Sequence, residues 1–426
     1  MRKLFLLIFA FPLTVAAQQP ANLYNFGALG DGTTDDTTAV SNWLAYCNSN
    51  GVACYAPAGQ FVVTNSISTA KSVGLVVFGD GYTKTKFVNK ASAGKPTFLF
   101  DGAQYFVLRD LAILGKAGFP NEAIKVRTST DASPVPAGFG EFVDLLLCPN
   151  GNGLHFDGTI QGAVAGINSF GVRHVKYWPS GFNGGATTDT STRKYGIIAD
   201  GSGLVNDAYI DDFNAVGVEK TIAGHACIKW ATTLFSFHVV VRNCELEGVD
   251  LKAVDFSKVF DFSIVDSYVE NANLKFTNSR YGRIKVFNPG NSSTGEKAID
   301  IYTGVQIVVE QTDSNGTFRV DSASQDCGLI ASTFNDVSNS GERPTVVSGI
   351  VGTGSDSLTG GILGTRLPSE TLYLANGVRL SSAAYSPNGN VPGCVGSIFT
   401  NTAGGAGAVL YVKESGGCTN TGWVAK

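Results

Sequence analysis

The chain has 426 residues, of which 52 are glycine and 15% are charged, against the ~25% charged residues usual in a soluble domain. That composition excludes a disordered chain or a charge-rich helical protein, while a hydrophobic share of 43% supplies a core. The formal charge of −4 argues against a nucleic-acid partner.

Residues 1–17 read as a secretory signal, with Arg2 and Lys3 as the basic start, Leu4 to Phe11 as the apolar run and Val15-Ala16-Ala17 before the cleavage point. The mature protein is expected to start near Gln18 and to be secreted, periplasmic or on the cell surface. Loss of Arg2 and Lys3 takes its formal charge from −4 to −6. No later run approaches the ~18 apolar residues of a membrane span, so no membrane partner is expected.

Val40, Trp43, Leu44 and Cys47 form one apolar stripe at helical spacing, and Asp35 and Asp36 stand where they can cap its N-terminus. A short amphipathic helix is expected there. After Gly51 the pattern turns to strands, with Ala56-Pro57-Ala58-Gly59 as a turn before Gln60 to Val63.

The middle of the chain repeats itself. Phe237 to Leu251 aligns without a gap on Phe260 to Leu274, 23 residues later. Looser copies lie at Tyr105 to Leu114, Phe142 to Cys148, Val172 to Trp178, Val205 to Val216 and Val305 to Val309. Alternating strands and turns at this period predict a solenoid whose coils stack on one another. Alternation points Phe237, Val239, Val241, Phe260, Phe262, Ile264, Leu246 and Val269 inward, and Glu245, Glu247, Tyr268 and Glu270 outward. The repeat is expected to occupy 18–350, with a cap at about 22–64. A Gly/Ser-rich connection or the end of the helix follows at 351–384, then a small β unit at 385–426.

Eight cysteines in an exported chain point to disulfides. Locality favours Cys47–Cys54, Cys227–Cys244 and Cys394–Cys418, leaving Cys148 and Cys327, either of which suits a buried thiol. His155, His174, His225 and His238 are not at metal-ligand spacing, and no zinc is expected.

Phe26-Gly27-Ala28, Asp31-Gly32 and Thr34-Asp35-Asp36-Thr37, followed by the helix and Ala56-Pro57-Ala58-Gly59-Gln60-Phe61, resemble the N-terminal signature of the pectate-lyase superfamily. The resemblance implies an all-β, right-handed, single-stranded parallel β-helix, as in polysaccharide lyases, glycoside hydrolases and bacteriophage tailspikes. Within it, Asp31, Asp35 and Asp36 belong to the cap that covers the open end. The tail, from Ser386-Pro387-Asn388-Gly389 through Val395-Gly396-Ser397 to Trp423, is similar to a terminal module of phage and prophage appendage proteins. Tailspike likeness implies a surface glycan as partner and a homotrimer. A signal peptide and cysteines depart from a tailspike released by lysis; a prophage-derived gene adapted to secretion reconciles them.

Cleavage of a glycosidic bond needs two carboxylates, one as acid and one as base or nucleophile. Glu247 and Glu270 are expected one coil apart, at the ~4.8 Å strand spacing, near the ~5 to 5.5 Å of retaining glycosidases. Glu245 with Glu270 forms a longer diagonal that suits inversion. Repulsion requires one acid of the stack to be protonated or neutralised by a cation. Asn243 over Asp266 reads as a turn ladder. Asp211 and Asp212 are expected to extend the acidic strip, and Tyr209, Trp230, Tyr268 and Trp178 are candidates to stack on sugars. Elimination would instead use a basic group, with Arg242, Lys252, Lys275 and Arg280 available and calcium on Asp or Glu oxygens; hydrolysis needs no cofactor. The expected function is a secreted polysaccharide-degrading enzyme, hydrolase ahead of lyase. The alternatives are a non-catalytic glycan-binding or adhesive spike, or a purely structural appendage subunit.

Overall fold

The computed structural model describes residues 18–426 apart from 93, 116–120, 163–165, 179–194, 219–225, 291–296, 313, 315, 322, 326, 335, 340–347, 352–356, 359–370 and 374–377. The signal segment and His225 lie outside the described residues.

The helix forms at Thr37–Asn50 and buries Val40, Trp43, Leu44 and Cys47. Its two acids divide the labour differently from expectation. Asp35 caps it, accepting from the Thr37 amide at 3.0 Å. Asp36 instead accepts from the Leu29 and Gly30 amides at 2.8 and 3.2 Å, tying the entering loop to the helix start. Asp31 accepts from the Thr33 and Thr34 amides, and these hydrogen bonds, Thr34 first, hold its carboxyl well below the usual carboxylate range. All three acids therefore serve the cap.

Beyond the cap the chain is a right-handed parallel β-helix. Its strands form one ladder of 27, and each pairs in parallel with the strand one coil onward. Through the middle of the chain each coil lays down three runs. Sheet A holds Phe98–Asp101, Ile124–Arg127, Leu154–Asp157, Tyr195–Asp200 and Ala226–Trp230. The next strand of each coil bends at one residue into runs B and C, as Val205–Val218 does at Asp212. The bend residues Asp110, Asp144, His174, Asp212, Asn243 and Asp266 all have φ between 51° and 60°. Asn and Asp tolerate this left-handed conformation best among side-chain-bearing residues, so Asn243 over Asp266 is a corner ladder.

The 23-residue repeat is a structural rung. Phe237 pairs with Phe260, Val241 with Ile264, and Leu246 with Val269. Val239, Val241, Phe262, Ile264, Leu246 and Val269 are buried and join one continuous apolar core. Phe237 departs from its expected inward direction and is 39% exposed, as Phe260 is in part. A second left-handed corner at His238 and Asp261 reverses the alternation just after each ring. The ungapped alignment also ends early: Leu251 pairs with Ala272, and Leu274 with Val254, because a bulge separates runs C and A.

Cys47–Cys54 and Cys394–Cys418 are disulfides. Cys227 and Cys244 are not; they are buried thiols. Consecutive strands of a coil do not pair with each other as in a hairpin, and Cys227 sits in sheet A while Cys244 follows the corner between runs B and C. Burial pushes both thiols up to about 12. Cys148 and Cys327 are buried as well.

The parallel ladder runs on to Ser357–Leu358, within the stretch expected as a connection or the end of the helix. A separate five-stranded sheet then begins at Thr371–Tyr373 rather than at 385, because Arg379–Ala383 pairs with both that strand and Ile398–Asn401. Phe399, Tyr411, Trp423 and Val391 form its own core.

Candidate functional site

Run C carries the predicted carboxylates. Its outward rung passes from Lys176 to Asn214, Glu245, Tyr268 and Phe287, and Glu247 pairs directly with Glu270. The Asn214 amide donates to Glu245, and the Tyr268 hydroxyl donates to Glu270 at 3.3 Å. Partial burial first, then a hydrogen bond with Glu245 and the charge of Glu270, push the Glu247 carboxyl above its usual range. One acid of the stack is thus poised to hold a proton while its neighbours are held by donors. Exposed rings flank them: Tyr268 and Trp178 at 39% and Phe287 at 47%.

Two predicted contributors are elsewhere. Trp230 is fully buried, with its indole N–H donating to the Val205 carbonyl at 3.2 Å. Its rung is the inward one of sheet A, where it stands opposite Ala199 and Phe256 and fills space the alanine leaves. Asp211 lies on sheet B, before the corner, and pairs with Arg242 at 2.8 Å and the Asn243 amide at 2.9 Å. Arg242 leads in holding its carboxyl below the usual range. Asp212 is the corner residue itself, so the acidic strip does not extend into this coil; Asn214 takes that rung.

Sequence reasoning missed the outward face of sheet A. One rung runs Lys125, His155, Ile198, Lys229, Asp255 and Lys275; another runs Asp101, Arg127, Asp157 and Asp200. His155 is clamped between Glu122 at 2.8 Å on Nδ1 and Asp200 at 2.9 Å on Nε2. Burial works against its charge, but hydrogen bonds to Asp200 and then Glu122 push it up to about 9. Lys125 pairs with Asp157 at 2.9 Å and Arg127 with Asp101 at 3.0 Å. Lys229 donates to the Tyr195 hydroxyl at 3.1 Å. The sequence gives no cue to this clustering, since Glu122, His155 and Asp200 lie in three different coils.

Of the four basic candidates for elimination, Lys252 pairs with Asp255 at 3.3 Å and Lys275 lies over Tyr302, both on sheet A. Arg280 lies over Phe235 and Phe260, and Arg242 is bound to Asp211. Among the described residues, no group of three or more His, Cys, Asp or Glu side chains is arranged to hold a metal ion.

Residues 21–135 match the family model for rhamnogalacturonase A/epimerase, pectate lyase-like. Geobacillus virus E2 ORF18 has a similar structure, with TM-score 0.51 and 15% identity, over 74% of this chain. Over residues 21–135 the sequence therefore resembles the pectate-lyase-like family, and the chain as a whole has the parallel β-helix fold. The match spans 61% of the viral chain. The A-module of a mannuronan C-5 epimerase from Azotobacter vinelandii is 13% identical, with TM-score 0.48, over 80% of this chain and 100% of its own. The Dettilon tailspike protein is 12% identical, with TM-score 0.45, over 79% and 66%. No curated protein matches the sequence.

Proposed function

We propose that this pectate-lyase-like β-helix is an exported enzyme that hydrolyses glycosidic bonds of a polysaccharide laid across run C. The observation that carries the reading is the in-register pair Glu247 and Glu270, with the Glu247 carboxyl raised by burial and by its neighbours. Glu247 serves as the acid that protonates the leaving oxygen. Glu270, which accepts a hydrogen bond from the Tyr268 hydroxyl, attacks the anomeric carbon, and water then releases the sugar with Glu247 as base. Strand spacing of ~4.8 Å supports this retaining route over one needing a water between carboxylates at ~6.5 to 9.5 Å. Trp178, Tyr268 and Phe287 offer ring faces along the strip. The family-model match supports a carbohydrate substrate.

Elimination on sheet A is the second reading, favoured by the Tyr195 hydroxyl held against Lys229. A phenol next to an ammonium can serve as base.

Incubation with a panel of neutral and acidic polysaccharides, following reducing ends and unsaturated-product absorbance, decides among these. Reducing ends without unsaturation support hydrolysis; unsaturation moves the chemistry to sheet A. Binding without product on every polymer leaves a glycan-binding spike, whose homotrimer light scattering would detect.

A further inference from the structure

Sheet B has a gap in its outward surface. The rung that runs Glu141, Gly171, Tyr209 and Val240 has no side chain at Gly171. Glu141, Arg173, Tyr209, Phe139, Ser169 and Asp207 surround a depression of about 300 Å³ there.

Its walls are differentiated. Phe139, 47% exposed, is stacked on Tyr105 at 4.6 Å with an interplanar angle of 7°. One ring face is thus covered, and the next rung is the small Ser169, which leaves the other face toward the depression. Tyr209 stands opposite, with the Arg242 guanidinium 4.7 Å from its ring centre. On the floor, Glu141 Oε1 accepts from Arg173 at 3.1 Å. Glu141 Oε2 is buried and has no hydrogen-bond partner. That oxygen lies directly over Gly171, where an added Cβ would come within 2.3 Å of it. A buried carboxylate oxygen without a donor is costly, and rotation of the flexible Glu141 side chain off Gly171 would bring that oxygen to a donor seated in the depression.

We propose that this depression is a second carbohydrate-binding site, separate from run C, that seats one pyranose residue of a glycan. A sugar ring packs against Phe139 and Tyr209, a hydroxyl donates to Glu141 Oε2, and Arg173 donates to a ring or hydroxyl oxygen. The two sites are on adjacent sheets, divided by the Asp144, His174, Asp212 and Asn243 corner. Occupancy here holds the polymer to the protein without cutting it, and does not depend on whether run C or sheet A carries chemistry.

The test uses the full mature chain with cellohexaose, maltohexaose, mannohexaose, chitohexaose and hexagalacturonic acid, each titrated calorimetrically and checked by saturation-transfer NMR. At least one probe is expected to bind a Glu247→Gln/Glu270→Gln double variant as it binds wild type. Gly171→Val, at a position whose φ is not in the left-handed region, fills the depression. Tyr209→Ala removes a wall. Each is expected to weaken that probe at least ~10-fold, the effect of losing a ring contact with its hydrogen bond. Should Gly171→Val fail to fold, Tyr209→Ala decides alone. Unchanged affinity in Tyr209→Ala, or no binding of any probe at millimolar concentration, overturns the proposal.

Discussion

His155 makes the clearest quantitative statement about this fold. Its side chain is 11% exposed and lies between Glu122 and Asp200, with Lys125 next to it on the same rung. Held protonated up to about 9 against an ordinary 6.5, the imidazolium stabilises the folded state by on the order of 3 kcal/mol below pH 6.5. The sign follows from proton counts. Between pH 6.5 and about 9 the folded chain keeps a proton that the unfolded chain has lost, so stability falls by ~1.4 kcal/mol per pH unit and the contribution is gone above that range. Urea denaturation in steps from pH 6 to 10, together with ¹³Cε1-histidine NMR, reads both quantities. One histidine resonance is expected to titrate near 9, and a Glu122→Gln/Asp200→Asn variant should lose most of the slope. If all four histidines titrate between pH 6 and 7, the clamp does not exist in solution.

Further outcomes follow from the same geometry. Glu247→Gln should reduce hydrolysis by ~10²-fold or more, the usual worth of a general acid, and ¹H NMR of the first product should show retained anomeric configuration. Inversion there would remove Glu270 as nucleophile. Trp230→Ala should destabilise the β-helix by ~3 to 5 kcal/mol, read as a lower urea midpoint; unchanged stability would contradict its place in the core. Alkylation at pH 8 followed by mass spectrometry should leave Cys227 and Cys244 unmodified until the chain is denatured, because burial keeps both thiols protonated. Rapid labelling of either would show that the interior opens.

The fold was readable because a parallel β-helix repeats one local rule. Alternation within a strand places Val239, Val241, Leu246 and Val269 correctly, and the ungapped repeat puts Glu247 over Glu270 in the observed register. The misreadings occur where alternation is interrupted. Left-handed residues at His238 and Asp261 turn Phe237 outward, and the bulge after Glu247 shifts Leu251. Trp230 was misplaced because an aromatic beside Lys229 gives no sign of which alternate position faces the core. The Glu122–His155–Asp200 clamp was invisible for another reason: its members are brought together by coil length, and the number of residues from the end of run C to the next sheet A strand differs from coil to coil. Gly171 reads as one more glycine among many, and only its rung neighbours Glu141 and Tyr209 reveal the gap it makes.

The central claim, that glycan cleavage belongs to run C, is tested most directly by a crystal structure of Glu247→Gln soaked with oligosaccharides of a polymer that the wild type degrades. The account predicts a glycosidic oxygen within hydrogen-bond reach of residue 247 and an anomeric carbon facing the Glu270 carboxylate, with sugar rings against Trp178, Tyr268 or Phe287. A chain bound across His155, Lys229 and Tyr195 on sheet A, with run C bare, would contradict it.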